Sequence, residues 1–229
     1  MSGRALRCLL PLYLVLELIL GILIHTASPT YFYMYLSLVV ASLFCLALYK
    51  PTARWTLTQT AFLFTLAADY LLVVLGSYHT LAMLLFSVTQ LCYAARLTLD
   101  QEKRMRRIHL TARATLVLLA VAITALVLGK NTDALSVISL FYFSNLLITA
   151  LFATAKWRSE PLFAVGLWLF VLCDIFIGFS MLGGYLPLGQ SALIDFLASP
   201  PLNMAWVFYL PSQVLISIST MERQQLSKN

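Results

Sequence analysis

Pro161-Leu-Phe-Ala-Val-Gly-Leu-Trp-Leu-Phe-Val-Leu-Cys-Asp174-Ile-Phe-Ile-Gly-Phe-Ser-Met-Leu-Gly183 runs for 23 residues with a single charged side chain. At 1.5 Å per residue a helix of that length reaches about 35 Å, enough to cross the hydrocarbon of a bilayer. Seven further runs share its character, at 6–24, 31–49, 56–75, 79–97, 111–129, 134–155 and 203–220. The breaks carry turn chemistry: His25-Thr-Ala-Ser-Pro29, Lys50-Pro-Thr-Ala-Arg54, Gly76-Ser-Tyr78, Gly129-Lys-Asn-Thr-Asp133 and Ser159-Glu-Pro161. Most breaks are short, so consecutive helices are expected to be antiparallel neighbours. Of the 229 residues, 61% are hydrophobic and only 10% charged. A soluble domain carries about a quarter charged residues, so lipid is the solvent for this chain. The pattern predicts an all-α, polytopic membrane protein: one integral membrane domain over 1–229, with about eight spans. Glu17 interrupts the first run and no Ala-x-Ala pattern follows it, so that run is expected to be a retained span and not a cleaved signal.

The basic residues then give an orientation. Arg4 and Arg7 precede the first run, and Lys50 and Arg54 follow the second. Arg96, Lys103, Arg104, Arg106, Arg107 and Arg113 lie around the fourth connection, Lys156 and Arg158 around the sixth, and Arg223 and Lys228 at the end. Fourteen of the 15 basic residues thus fall on one side, with Lys130 alone on the other. The positive-inside rule predicts both termini in the cytoplasm. The net charge of +6 is a topology signal, not a nucleic-acid footprint, because it is concentrated beside span ends. Asp100–Arg107 reads the same way, with contact to anionic head groups as an extension. Cys8, Cys45, Cys92 and Cys173 have no disulfide or zinc spacing, and His25, His79 and His109 share no metal-ligand spacing. Gly129-Lys130 lacks the upstream glycine of a phosphate loop. No metal site is expected.

Charge inside a span is costly and marks function by default. Glu17, Asp69 and Asp174 qualify. Asp69 lies 13 residues after Thr56 and Asp174 13 after Pro161, which predicts equal depths of about 20 Å on two helices of one direction. Gln90, Asn145 and Gln213 fall at similar depth on other runs. Tyr93 shares a face with Gln90, and Tyr209 with Gln213. Pro211 interrupts the last run. Mid-span Gln and Asn also serve simply as interhelical hydrogen-bond partners, and tyrosines as packing, so both readings stand for these residues. Leu63-Phe64-Thr65-Leu66 before Asp69 and Leu169-Phe170-Val171-Leu172 before Asp174 correspond faintly, and the next run carries a glutamine each time. A parallel duplication of two four-helix halves would leave that pattern.

At these residues the chain resembles the YhhN and transmembrane-protein-86 family, the lysoplasmalogenases. The resemblance covers roughly 31–220. It rests on the order of Phe64-Thr-Leu-Ala-Ala-Asp69, Gln90-Leu-Cys-Tyr93, Gly166-Leu-Trp-Leu-Phe-Val-Leu-Cys-Asp174 and Tyr209-Leu-Pro-Ser-Gln213. Two departures stand out. Gln90 occupies the place of the family's usual histidine, and Ala68 and Cys173 replace the small residues Gly and Ser before the aspartates. The resemblance implies hydrolysis of the vinyl ether bond of a lysoplasmalogen to a fatty aldehyde and a glycerophospho-alcohol, without a cofactor. Such chemistry needs a proton donor for carbon and a carboxylate to stabilise the resulting cation or activate water, and paired aspartates supply both. Asp69 and Asp174 are the expected catalytic pair, with Gln90, Tyr93, Tyr209, Gln213, Asn145 and Glu17 as the polar lining that binds substrate. The expected partners are the lysophospholipid and the bilayer, in a bacterial inner membrane or a eukaryotic endoplasmic reticulum. Two other readings fit the same polar spans: a proton-coupled transporter, favoured by the intramembrane acids and a broken last span, and a non-catalytic lipid-binding protein, favoured by Gln90.

Overall fold

Local capping chemistry sets most helix ends. In the computed structural model, which describes residues 3–99, 101–185, 191–200 and 202–221, eight helices are long and apolar enough to cross a membrane. They are α1 (Gly3–Thr26), α2 (Thr30–Ala47), α3 (Ala53–Asp69), α4 (His79–Thr98), α5 (Lys103–Leu128), α6 (Ala134–Ala155), α7 (Pro161–Leu182) and α9 (Met204–Ile218). The short helix α8 (Ala192–Ala198), opened by a Ser191 side chain that accepts from the Ile194 amide, is not one of the eight apolar runs. It packs on α7, with Phe196 edge-on to Phe176 at 5.9 Å. No strand occurs among the described residues. The chain is therefore an all-α polytopic membrane protein.

Two of the helix starts that differ from the sequence expectation have a clear cause. Helix α3 starts at Ala53 because the Thr52 hydroxyl caps the Trp55 amide at 3.3 Å. Asp69 thus lies 16 residues into its helix against 13 for Asp174. Helix α5 begins at Lys103, not near 111, and absorbs most of the basic stretch. Lys and Arg are good helix formers whose long side chains reach the head groups, so the helix has no reason to stop at the hydrocarbon edge. Its far end is closed by Gly129, whose φ of +54° suits glycine and whose amide bonds the Ala125 carbonyl. Helix α9 continues across Pro211, so the broken last span expected above is not found.

The most extensive packing joins α7 to α9, α3 to α4 and α4 to α6. Small residues permit the first two contacts. A Cβ on Gly166 would stand 2.8 Å from Ile216 Cγ1 and 3.2 Å from the Ser212 carbonyl oxygen. In the other pair Thr89 donates to the Ala61 carbonyl at 3.3 Å. The flank helices α1 and α5 turn Leu12, Leu18, Leu118 and Leu126 outward, as lipid-facing surfaces do.

One end of the bundle carries Arg54, Arg96, Lys156 and Glu160 and is called the basic end below. There Arg96 is fully buried: it donates to Thr58 Oγ1 (3.0 Å), Glu160 (3.0 Å) and the Ser219 carbonyl (3.3 Å), and its guanidinium lies 3.9 Å over the Phe163 ring. Glu160 also pairs with Arg54. Burial opposes ionisation of Glu160, but the charges of Arg96 and Arg54 and their hydrogen bonds outweigh it and hold the carboxyl below its ordinary range. This clasp joins the ends of α3, α4, α7 and α9.

Candidate active site

Asp69 is the last residue of α3 before a π-helical turn, Tyr70–Val74, whose wider spiral is closed by a Leu75 amide to Tyr70 carbonyl bond at 3.0 Å. Such turns recur at functional sites because they re-aim a side chain without ending the helix. Asp69 is buried and accepts from the Tyr209 hydroxyl at 2.5 Å. Asp174 on α7 is partly buried and accepts from the Tyr142 hydroxyl of α6, also at 2.5 Å. In both bonds the tyrosine engages Oδ2.

An aromatic shell surrounds these pairs. Phe170, one turn before Asp174, lies 5.1 Å from the Tyr209 ring and 6.5 Å from that of Tyr142, and so touches both tyrosines. Phe86 of α4 packs on Tyr142 (5.5 Å) and Phe170 (6.2 Å), and Trp206 stands edge-on to Tyr209 at 5.1 Å. Trp206 also lines a cleft of about 530 Å³ between α7 and α9, together with Phe176, Ser180 and Met204. Charge is weakly screened in such aromatic surroundings.

One turn nearer the basic end on α4 and α9 lie Gln90 and Gln213, both fully buried. Neither amide has a hydrogen-bond partner among the described residues, nor has the Ser212 hydroxyl. Buried amides are nearly always satisfied in proteins, so this layer is chemically suited to water or the polar part of a guest. Tyr93 is buried beside it, its ring edge-on to Phe163 at 5.6 Å. Of the sequence-predicted residues, the structure therefore groups Asp69 with Tyr209 and Asp174 with Tyr142, and sets Gln90, Tyr93 and Gln213 in the core beneath them. Two others are engaged elsewhere. Glu17 accepts from the Ser37 hydroxyl at 2.8 Å between α1 and α2, and the Asn145 carbonyl oxygen of the side chain accepts from Arg113 at 2.9 Å.

Tyr142 is absent from the sequence-based set, although depth alone could have found it. It lies eight residues from the start of α6, and Asp174 eight from the end of α7, which puts both about 12 Å from the far end. No pattern signalled that Arg113 would turn inward. Among the described residues, no group of three or more His, Cys, Asp or Glu is arranged to hold a metal.

An eight-span helical bundle with two tyrosine-bonded aspartates in its interior defines a multi-pass integral membrane protein with a polar core. Within that class the chain belongs to the YhhN family, whose model matches residues 27–220. That span includes both aspartates and their tyrosines and leaves Glu17 outside. No curated protein and no solved structure gives a significant match.

Proposed function

We propose that the chain is a membrane-embedded hydrolase of the lysoplasmalogenase kind, cleaving the vinyl ether bond of a single-chain phospholipid. The observation that carries this reading is a pair of carboxyls, each anchored by a tyrosine through one oxygen, whose two tyrosines pack on the same ring, Phe170. Family membership is consistent with it. One aspartate, protonated, delivers its proton to the vinyl carbon remote from oxygen. The developing oxocarbenium ion is stabilised by the other, ionised aspartate, which then takes a proton from the attacking water. The resulting hemiacetal collapses to a fatty aldehyde and the glycerophospho-alcohol, and the pair again holds one proton. The titration belongs to the pair and not to either residue. Gln90 cannot carry a proton, so on this reading the proton chemistry falls on the aspartates, while Gln90 and Gln213 hold water and the glycerol hydroxyl. By the positive-inside rule the basic end faces the cytoplasm.

The test is aldehyde release from lysoplasmalogen by the purified protein in detergent, with an ester-linked lysophospholipid as the control substrate. Asp69→Asn and Asp174→Asn are each expected to lower the rate at least about 100-fold while the protein stays folded. Full activity in either variant, or none in the parent, overturns the assignment.

A further inference from the structure

Helix α5 sits on the flank of the bundle, with α6 as its main neighbour. Between α5, α6 and the edge of α4 runs an open groove of about 590 Å³, its wall formed by Leu91, Val117, Val121 and Phe141 and its polar end by Arg113 and Asn145. Arg113 lies six residues beyond Arg107 on α5, about 9 Å deeper than the basic cluster. Its side chain is only 6% exposed. Nη1 donates to Asn145 Oδ1 at 2.9 Å and Nη2 to Thr149 Oγ1 at 3.0 Å, while Nε has no partner. Every one of these acceptors is neutral, and no carboxylate pairs with Arg113 among the described residues. A guanidinium at this depth held only by neutral dipoles is costly unless an anion reaches it.

We propose that this groove is a docking site for a single-chain phospholipid, with its phosphodiester on Arg113 and its chain along α5 and α6 towards Val121. Charge complementarity selects the head. Guanidinium presents paired N–H donors matched to phosphate oxygens, and the unpartnered Nε completes such a fork. The groove's volume of about 590 Å³ is room for one long acyl chain along this wall. The apolar wall from Arg113 to Val121 is eight residues, about 12 Å, long enough to grip the first half of that chain. Helix α6 separates the groove from the aspartates: Phe141 and Asn145 line the groove, whereas Tyr142 turns the other way to Asp174. The proposal stands apart from the hydrolase reading, because binding requires neither aspartate.

The test uses the full chain in nanodiscs and an alkyl-ether lysophosphatidylcholine bearing a diazirine on its chain, which has no vinyl ether to hydrolyse. After photolysis, mass spectrometry is expected to find label at 117–121 and 137–141. Arg113→Gln should lower that labelling roughly tenfold or more. Ala114→Trp, which fills the groove from an exposed position, should do the same without touching the guanidinium, and it carries the test if Arg113→Gln fails to fold. An alkylglycerol probe lacking phosphate should label weakly, and neither inorganic phosphate nor a diacyl phosphatidylcholine should compete at equal mole fraction. Unchanged labelling in Ala114→Trp, equal labelling by the phosphate-free probe, or competition by the diacyl lipid would each overturn the proposal, the last by showing an ordinary annular lipid contact.

Discussion

Tyr209 and Tyr142 each give one hydroxyl to an intramembrane carboxyl. Tyr209→Phe removes the donor to Asp69 and leaves a buried oxygen without it. The expected cost is about 1–3 kcal/mol of stability, read as a lower melting temperature in detergent. Tyr142→Phe is expected to cost less, because Asp174 is partly exposed and solvent or head groups can replace the bond. On the hydrolase reading both variants also slow turnover, since the unsupported aspartate loses its fixed orientation. The aspartates stand out in the sequence because a charge in an apolar run is costly, and Glu17 stands out for the same reason although it is bonded to Ser37 between α1 and α2. Their partners were harder to read. Tyr209 came into view through the face it shares with Gln213, while Tyr142 lay among the aromatic residues Phe141 and Phe143, where nothing local distinguishes a donor from packing. Asn145 looked like one more member of the polar layer. Its partner depends on which way Arg113 turns, a tertiary choice that spacing does not encode.

Helix pairs show a regularity finer than the faint match of Leu and Phe. Ala61 lies eight residues before Asp69 and Gly166 eight before Asp174, while Thr89 immediately precedes Gln90 and Ser212 immediately precedes Gln213. Ala61 meets Thr89 across α3 and α4, and Gly166 meets Ser212 across α7 and α9, so these two contacts occupy the same register. A parallel duplication would leave this trace, and the helical offsets express it where residue identities do not. Gly166→Ala is expected to destabilise by about 1–3 kcal/mol, since its Cβ would meet Ile216 and the Ser212 backbone. Adding Ile216→Ala should recover part of that loss in a double-mutant cycle, and additive losses would contradict the contact. Span number and direction were readable from hydropathy and charge because lipid imposes them on every residue of a span. Helix starts were less so: Thr52 moves α3 by a capping bond, and α5 extends through charged residues that a hydropathy window excludes.

At the scale of the whole molecule, the clasp of Arg54, Glu160 and Arg96 is expected to dominate stability. Glu160→Gln leaves Arg96 buried without its counter-charge and should cost about 3–5 kcal/mol by thermal melting. The pH dependence follows from the lowered range of the Glu160 carboxyl. Its contribution is complete above the ordinary carboxylate range and is lost as pH falls through the lower folded value. The melting temperature of the parent should therefore fall on acidification, and that of Glu160→Gln should fall less. The clasp also makes the bundle mechanically lopsided. Four helices are riveted together at one end by charge, while at the other the same helices are held mainly by side-chain packing and by loops such as Gly76–Tyr78. Amide hydrogen exchange should accordingly be slowest around Thr58, Arg96 and Phe163 and fastest beyond the aspartates. A bundle fastened in this way resembles a peg fixed at its base, and on the hydrolase reading the cleft lined by Trp206 at the free end is the expected entry for a long-chain substrate.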